Sequence, residues 1–391
     1  MAWECCKVEE QRSHFIREFM RGQDSVSYLC KKYHISRKTA YKWYNRFLLL
    51  EMEGLQDESK APHDPYRIYP KEQMDLAIDY KRQHRSWGPK KILVKLKEKY
   101  PTYKWPSPTR LYEVFRDHHL VTSKRIRGRV PATNPLVDVS ACNDTWAVDL
   151  KGWFLTGDDR KCEPLTITDC HSRYLIHCMH LHKHTVEYVW PVFESAFREY
   201  GLPNRLRSDN GPPFGCVGVG RLTGLSVKLI KAGVTPEWIR PGHPEENGRH
   251  ERFHLTLQQE VASPPKATLP KQLQALKAFQ DEYNLERPHE ALGMQTPGSC
   301  YRRSSRTWDG VLRSPEYDTE EGTMIRKVCS SGCVWLAQKE YYVGQILAGE
   351  YVALRENEAG ETKMYYGPVL LGIFSREKGL VQPKLNARRP R

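Results

Sequence analysis

Long apolar runs are missing from this chain of 391 residues. No stretch approaches the roughly 18 apolar residues that a membrane span needs, and no signal peptide is legible. The expectation is a soluble, intracellular protein with no membrane partner. A disulfide framework is missing too. The 11 cysteines are an odd count, and only Cys5–Cys6 and the Cys329…Cys333 pair lie close together. Neither is joined by a second pair at zinc-finger spacing, which points to reduced thiols and excludes a secreted disulfide scaffold. Acidic residues are few relative to basic ones: 47 Asp+Glu stand against 61 Lys+Arg, for a net charge of +14 and a pI near 9.2. Residues 1–135 hold 28 basic and 16 acidic residues, so +12 of that excess lies in the first third. A polyanionic partner is the first implication, with a merely basic soluble surface as the alternative. The length allows about two to four domains with ordinary cores.

What the chain does have is a set of three carboxylates in three different settings. Asp149 lies in TWAVDLKGWF, Asp209 in LRSDNGPPF and Glu251 in HPEENGRHERFH. The first segment alternates apolar and polar residues and reads as a strand over 145–154. The second is a short strand at Arg205–Ser208 ending in a Ser-Asp-Asn-Gly turn. The third reads as a helix, with Phe253, Leu255 and Leu257 after the carboxylate. Two acids at strand ends and one on a helix can converge on hard, oxygen-seeking cations such as Mg²⁺. Two such ions about 4 Å apart clamp the attacking and leaving oxygens of an in-line phosphoryl displacement. Taken singly, Asp149 or Asp209 could equally be a strand-end turn residue.

Upstream, residues 1–55 read as a helix-turn-helix domain. A helix around Phe15–Met20 stops at Gly22, Asp24 caps a second, and Ser36 caps a third with Ala40, Trp43 and Phe47 facing inward. Arg37, Lys38, Tyr41, Lys42 and Asn45 then share the outer face, where they can read DNA or simply be solvated. Residues 65–120 form a second helical unit, either a helix-turn-helix or winged domain or a structural spacer. Pro89 and Pro108 open two of its helices, Leu111, Val114 and Phe115 face inward, and Arg110 and Arg116 face out. A basic linker, 121–143, carries Lys124, Arg125, Arg127 and Arg129 and can lie along a DNA groove or be disordered. Strands and helices then alternate over 144–305, a mixed α/β sheet with flanking helices. Short strands over 315–391 read as a small all-β barrel or sandwich, with a basic tail at Lys384, Arg388, Arg389 and Arg391.

Taken in order, TWAVDLKG, TDCHSRY, SDNGPPF, NGRHERFH and YNLERPHEAL…TP resemble the integrase core of bacterial insertion-sequence transposases, relatives of retroviral integrases in the DDE superfamily. The resemblance covers nearly the whole chain. It implies a ribonuclease-H-like fold, with Asp149 on the first strand, Asp209 after the fourth and Glu251 on the later helix as catalytic acids and metal ligands. It further implies two Mg²⁺ per site (Mn²⁺ substituting), bridged by Asp149 with Asp209 and by Asp149 with Glu251. The expected activity is hydrolysis that frees a 3′-OH at an element end, followed by attack of that 3′-OH on target DNA. Double-stranded DNA is the implied partner, held by a homo-oligomer on paired ends, in a bacterial cytoplasm near the nucleoid. Two other functions compete: a domesticated DNA-binding protein that no longer cuts, and a ribonuclease-H-like nuclease.

Several details accompany the resemblance. Asp209 and Glu251 are 42 positions apart, wider than is usual in the retroviral branch, and Gly215–Gly224 is expected to absorb the excess as a loop insertion. Glu245 and Glu246 are rivals to Glu251. Arg249, Arg252 and His250 flank it and either touch phosphates or are solvated. His177, His180, His182 and His184 crowd one strand, as a zinc site or, more simply, a part-exposed edge. Trp146 and Trp153 are expected in the core. The paired His and Cys of an integrase-type zinc module are absent from the N-terminal region.

Overall fold

The computed structural model describes residues 8–58, 69–121, 138–318, 323–336, 338–356, 361–375 and 378–381. Cys5–Cys6, the linker cations Lys124, Arg125, Arg127 and Arg129, and the tail cations Lys384, Arg388, Arg389 and Arg391 lie outside them. The chain divides into two compact units, Met1–Lys71 and Glu72–Arg391.

In the first unit, α1 (Val8–Arg21), α2 (Val26–Lys32) and α3 (Arg37–Leu50) pack around Phe15, Ile16, Leu29, Ala40 and Trp43. Ser36 caps α3 by accepting from the Thr39 amide. The cap of α2 is Ser25 rather than the expected Asp24, because the hydroxyl next to the first turn reaches the Tyr28 amide. Burying Ala40 and Trp43 leaves Arg37, Lys38, Tyr41, Lys42 and Asn45 exposed on the other face of α3.

The second unit opens with α4 (Lys71–Gln83), α5 (Pro89–Lys99) and α6 (Pro108–Asp117), packed around a fully buried Trp87 with Ile92, Leu96, Leu111 and Phe115. Both prolines take the first helical turn, where a missing N–H costs nothing. Polar contacts bolt these helices to residues 260–287 of the same unit. Ser86 Oγ donates to Glu260, Arg287 donates to Ser86 Oγ at 3.0 Å and to Glu260 at 2.9 Å, and His84 meets Glu282 at 3.1 Å.

Strands β1 (Thr145–Leu150), β4 (Pro164–Asp169), β5 (Leu175–His180), β6 (Arg205–Ser208) and β7 (Thr235–Trp238) form one sheet in the order β5-β4-β1-β6-β7. β1–β4 and β4–β5 are antiparallel; β1–β6 and β6–β7 are parallel. Helices α7 (Val186–Tyr200) and α8 (Gly224–Lys231) pack on one face, Phe193, Phe197 and Leu225 meeting Trp146 and Val148. Helices α9 (Gly248–Leu257) and α10 (Leu269–Leu285) cover the other through Phe253, Leu257, Phe279 and Tyr283. This is the expected ribonuclease-H-like mixed sheet with flanking helices. The strand expected over 145–154 is cut in two. Gly152, at φ 81°, turns the chain after Leu150, and β2 (Phe154–Leu155) pairs separately with β3 (Lys161–Cys162). Trp153 consequently sits outside the core, 60% exposed beside Lys161, whereas Trp146 is fully buried. No helix among the described residues is long and apolar enough to cross a membrane.

After α11 (Pro297–Cys300), strands β8 (Thr323–Lys327), β11 (Tyr351–Glu356), β12 (Thr362–Tyr366), β13 (Val369–Ser375) and β14 (Gly379–Val381) form an antiparallel sheet in the order β14-β13-β12-β11-β8. A hairpin of β9 (Cys333–Leu336) and β10 (Lys339–Tyr342) stands apart from it. The expected small all-β module is present, as antiparallel sheets that do not close into a barrel among the described residues. The hairpin lies between the two edge strands, touching β8 through β9 and β14 through β10, so that β8 and β14 do not pair. The core of this module takes in Leu222 and Ile230, with Val219, Val227 and Trp238 packed against it. Gly215–Gly224 is therefore an interface and not a free insertion. A Cβ on Gly220 would stand 2.8 Å from the Leu371 side chain.

Candidate active site

β1 and β6 run parallel with Ala147 opposite Arg207. Two residues further along, Asp149 and Asp209 come level at the same end of the sheet, on strands about 5 Å apart. Asp149 is part-buried, its side chain 23% exposed. Burial, the like charge of Asp209 and then that of Glu251 push its carboxyl up to about 7, against a backbone hydrogen bond from Leu150 and the charge of Lys151. Burial also raises Asp209, against one backbone hydrogen bond from Gly211. The turn carrying Asp209 is fixed from both sides: Asn210 donates to the Ile239 carbonyl at 2.7 Å and accepts from Arg221 at 2.9 Å. The Gly215–Gly224 stretch, which contains Arg221, thus helps to position that turn.

Helix α9 lies over β1 and β4. Its residues Asn247, Glu251 and His254 recur at spacings of four and three, so they share one face. Asn247 Nδ2 donates to Asp149 Oδ2 at 3.4 Å. His254 Nδ1 is 3.8 Å from the same oxygen. That contact is no ion pair, because burial and Lys151 push His254 down to about 3 and leave it neutral. Thr166 Oγ1 on β4 touches His250 Nε2 at 2.7 Å and His254 Nε2 at 2.8 Å, and also donates to the Asp149 carbonyl at 3.1 Å. His250 is buried and neutral, not a solvated flank residue. Glu251 itself is exposed. Of its rivals, Glu246 is engaged by Arg240 at 2.5 Å with its side chain 1% exposed, and the Glu245 side chain lies outside the described residues. Leu255 is 42% exposed, because the helix buries Phe253 and Leu257 at i and i+4, not alternate residues.

An all-oxygen donor set of three carboxylates, two of them pushed up by burial, suits a hard divalent cation that would supply the missing positive charge. The three do not form a single-ion cage: among the described residues, the one group whose ligand atoms all lie within 4.8 Å of one another is Cys329, Cys333 and Glu340. The histidine cluster does not close on a metal either. His184 meets Glu163 at 3.0 Å and His180 accepts from the Glu163 amide.

Residues 140–244 and 232–297 match models of the integrase core domain, and residues 11–63 match a helix-turn-helix domain. The chain carries an integrase core behind a helix-turn-helix domain. It is 26% identical over 203 residues to the insertion element IS407 uncharacterized 31.7 kDa protein of Burkholderia multivorans, covering 51% of this chain and 71% of that one. Over 223 residues it is 25% identical to the insertion element IS476 uncharacterized 39.2 kDa protein of Xanthomonas euvesicatoria, covering 56% of this chain and 62%, less than two-thirds, of the other. Among solved structures, the simian T-cell lymphotropic virus intasome in complex with PP2A regulatory subunit B56 gamma aligns at 12% identity and a TM-score of 0.38, covering 79% of this chain and all of that one. The catalytic core domain of BIV integrase aligns at 20% identity and a TM-score of 0.31, over 41% of this chain and 93% of that one. The integrase-core match and the insertion-element relatives together support a transposase-type function.

Within the described residues, the DNA-contact residues named from sequence fall into three groups. Arg37, Lys38, Tyr41 and Lys42 gather on the open face of α3. Arg110 is part-buried on α6 and paired with Glu113 at 2.8 Å. Arg249 and Arg252 lie on the α9 face opposite Asn247 and His254 and line a cavity there. Sequence reasoning missed Asn247, His254, Thr166 and Arg221. The pair His250 and His254, at i and i+4, and the alternating Thr166 and Thr168 on β4 were the available signals.

Proposed function

We propose that this protein is an insertion-sequence transposase that cleaves to free 3′-OH ends and joins them to target DNA, with Asp149, Asp209 and Glu251 as its catalytic acids. The observation that supports this most is Asp149 level with Asp209, under the Glu251 face of α9, with its carboxyl pushed up to about 7 by burial and by the like charges beside it. Mg²⁺ would be held by Asp149 with Asp209 and by Asp149 with Glu251, supplying the charge that activates the attacking oxygen and stabilises the leaving one. The chain itself does the positioning. Thr166 and the two neutral histidines dock α9, Asn247 orients Asp149, and Arg221 with Asn210 fixes the Asp209 turn. The exposed α3 face supplies element-end recognition by major-groove contact. Two copies, one per end, form the active complex in the cytoplasm, and light scattering on paired-end complexes should find at least a dimer. A stable, active complex of one protein on one end would remove that part of the proposal.

The test of the chemistry is a Mg²⁺-dependent strand-transfer assay on oligonucleotides bearing the element's end. Asp149→Asn, Asp209→Asn and Glu251→Gln should each abolish cleavage and joining while sparing end binding. A variant that joins at the wild-type rate removes its residue from the site.

A further inference from the structure

On the far face of α9 lies a cavity of about 1090 Å³, walled by α9, the start of α5, the Cys170–Arg173 turn and the loop after α10. Four cations line it without a carboxylate partner among the described residues: Lys91, Arg173, Arg249 and Arg252. Arg249 reaches only the Cys170 carbonyl, at 3.4 Å. The acids in the wall are engaged elsewhere. Asp169 accepts from Asn143 and from Ser172, Glu246 pairs with Arg240, and Glu290 reaches Lys90 at 3.5 Å. Burial and the charge of Arg287 push Lys91 down to about 8, and burial and Arg249 lower Arg173. Glu290 and Glu260 act on Lys91, and Asp169 on Arg173, only at a distance; none forms an ion pair with the four cations among the described residues.

Two further features bear on what fills the space. Arg173 is held at φ 65°, a conformation that glycine adopts at no cost and an arginine does not. The cavity also adjoins the acids. Ala147 lines it, on the same sheet face as Asp149 and about 7 Å before it along β1. Asn247 belongs to both, lining the cavity and donating to Asp149.

We propose that this cavity is a second nucleic-acid subsite, in which Lys91, Arg173, Arg249 and Arg252 hold the phosphodiester backbone of a DNA strand a few nucleotides from the bond at the acids. One strand carries a phosphate for every ~3.4 Å of duplex axis, so a strand lying at Asp149 reaches Ala147 within a few nucleotides. Lys91 comes from the second helical unit, which gives that unit a DNA-holding role inside the core, beside any groove reading of its own. The identity of the strand's partner reaction rests on the transposase reading; the affinity for backbone phosphate does not.

The test is fluorescence anisotropy of the full chain with labelled duplexes, one bearing the element's end and one of random sequence, in EDTA across a salt series. Lys91→Ala and Arg173→Gly should each weaken binding to both duplexes alike and shallow the salt slope by about one. Arg173→Lys should retain most of the slope. Glycine suits the backbone at 173, so its variant should keep the wild-type melting temperature; if it does not, Arg252→Gln on the exposed helix surface serves in its place. A folded variant with wild-type slopes on both duplexes overturns the proposal. Loss confined to the end duplex overturns it too, since that would be sequence reading. Asp149→Asn, measured alongside, should keep the full slope and lose joining. Should it still join, the transposase assignment of Asp149 fails while the cavity result stands.

Discussion

The two faces of α9 meet different chemistry. One face carries Asn247, Glu251 and His254 toward Asp149, which burial and the like charges of Asp209 and Glu251 push up to about 7. The other carries Arg249 and Arg252 into a cationic cavity, where burial, then Arg287 and Arg252, push Lys91 down to about 8. A helix barely three turns long separates an electrostatic need for cations from one for anions. The lesson is that neighbours in sequence are strangers in function here: Glu251 and Arg252 are adjacent, yet they face different chemistry.

The largest expected effect falls on the acidic face. Asp149→Asn or Glu251→Gln should lower the joining rate by on the order of 10³-fold or more with DNA affinity unchanged; a rate within a few-fold of wild type would erase the distinction between the faces. Next comes a pH effect on stability. The Asp149 carboxyl is raised from 3.8 to about 7, so between those values the folded chain keeps a proton that the unfolded chain has lost. Stability from this group is therefore lost as pH rises through that window, by up to about 4 kcal/mol. Metal-free Asp149→Asn should melt above wild type at pH 7.5 and level with it near pH 4. Millimolar Mg²⁺ should raise the wild-type melting temperature at pH 7.5 and the variant's less. Equal melting curves at both pH values would contradict the charge crowding.

A smaller effect is expected where the helix is anchored. Thr166→Val strips His250 and His254 of a shared partner and should cost about 1–3 kcal/mol in chemical denaturation, along with part of the joining rate. The smallest concerns recognition outside α9. Lys42→Ala on the open face of α3 should weaken end-DNA binding, whereas Arg110→Ala, already paired with Glu113, should change it little in the same titration.

How much of this was legible in the sequence depended on whether a signal was local. The cap at Ser36, the first-turn prolines Pro89 and Pro108 and the inward residues Ala40, Trp43, Leu111 and Phe115 follow from local helix signals, and they are where the sequence puts them. The turn at Asp209 and the helix at Glu251 were readable for the same reason. Strand β7 was not, since Thr-Pro-Glu-Trp carries a proline that argues against a strand, and only its place at the sheet edge tolerates it. The break at Gly152 was hidden because strand-favouring aromatics, Trp153 and Phe154, follow directly on the far side of it. Non-local features left no trace at all. Gly215–Gly224 looks like slack until Arg221 is seen bonded to Asn210. Barrel closure, likewise, is decided by where the β9–β10 hairpin settles and not by strand content.

The most direct test of the divided helix compares two adjacent residues in one experiment. Glu251→Gln and Arg252→Ala would be measured for equilibrium DNA binding and for single-turnover joining at saturating DNA and Mg²⁺. Glu251→Gln should bind as wild type and not join. Arg252→Ala should bind more weakly, with a salt slope shallower by about one, and join near the wild-type rate once saturated. If Arg252→Ala fails to join when fully bound, or Glu251→Gln joins normally, the two faces of α9 do not divide the work as described.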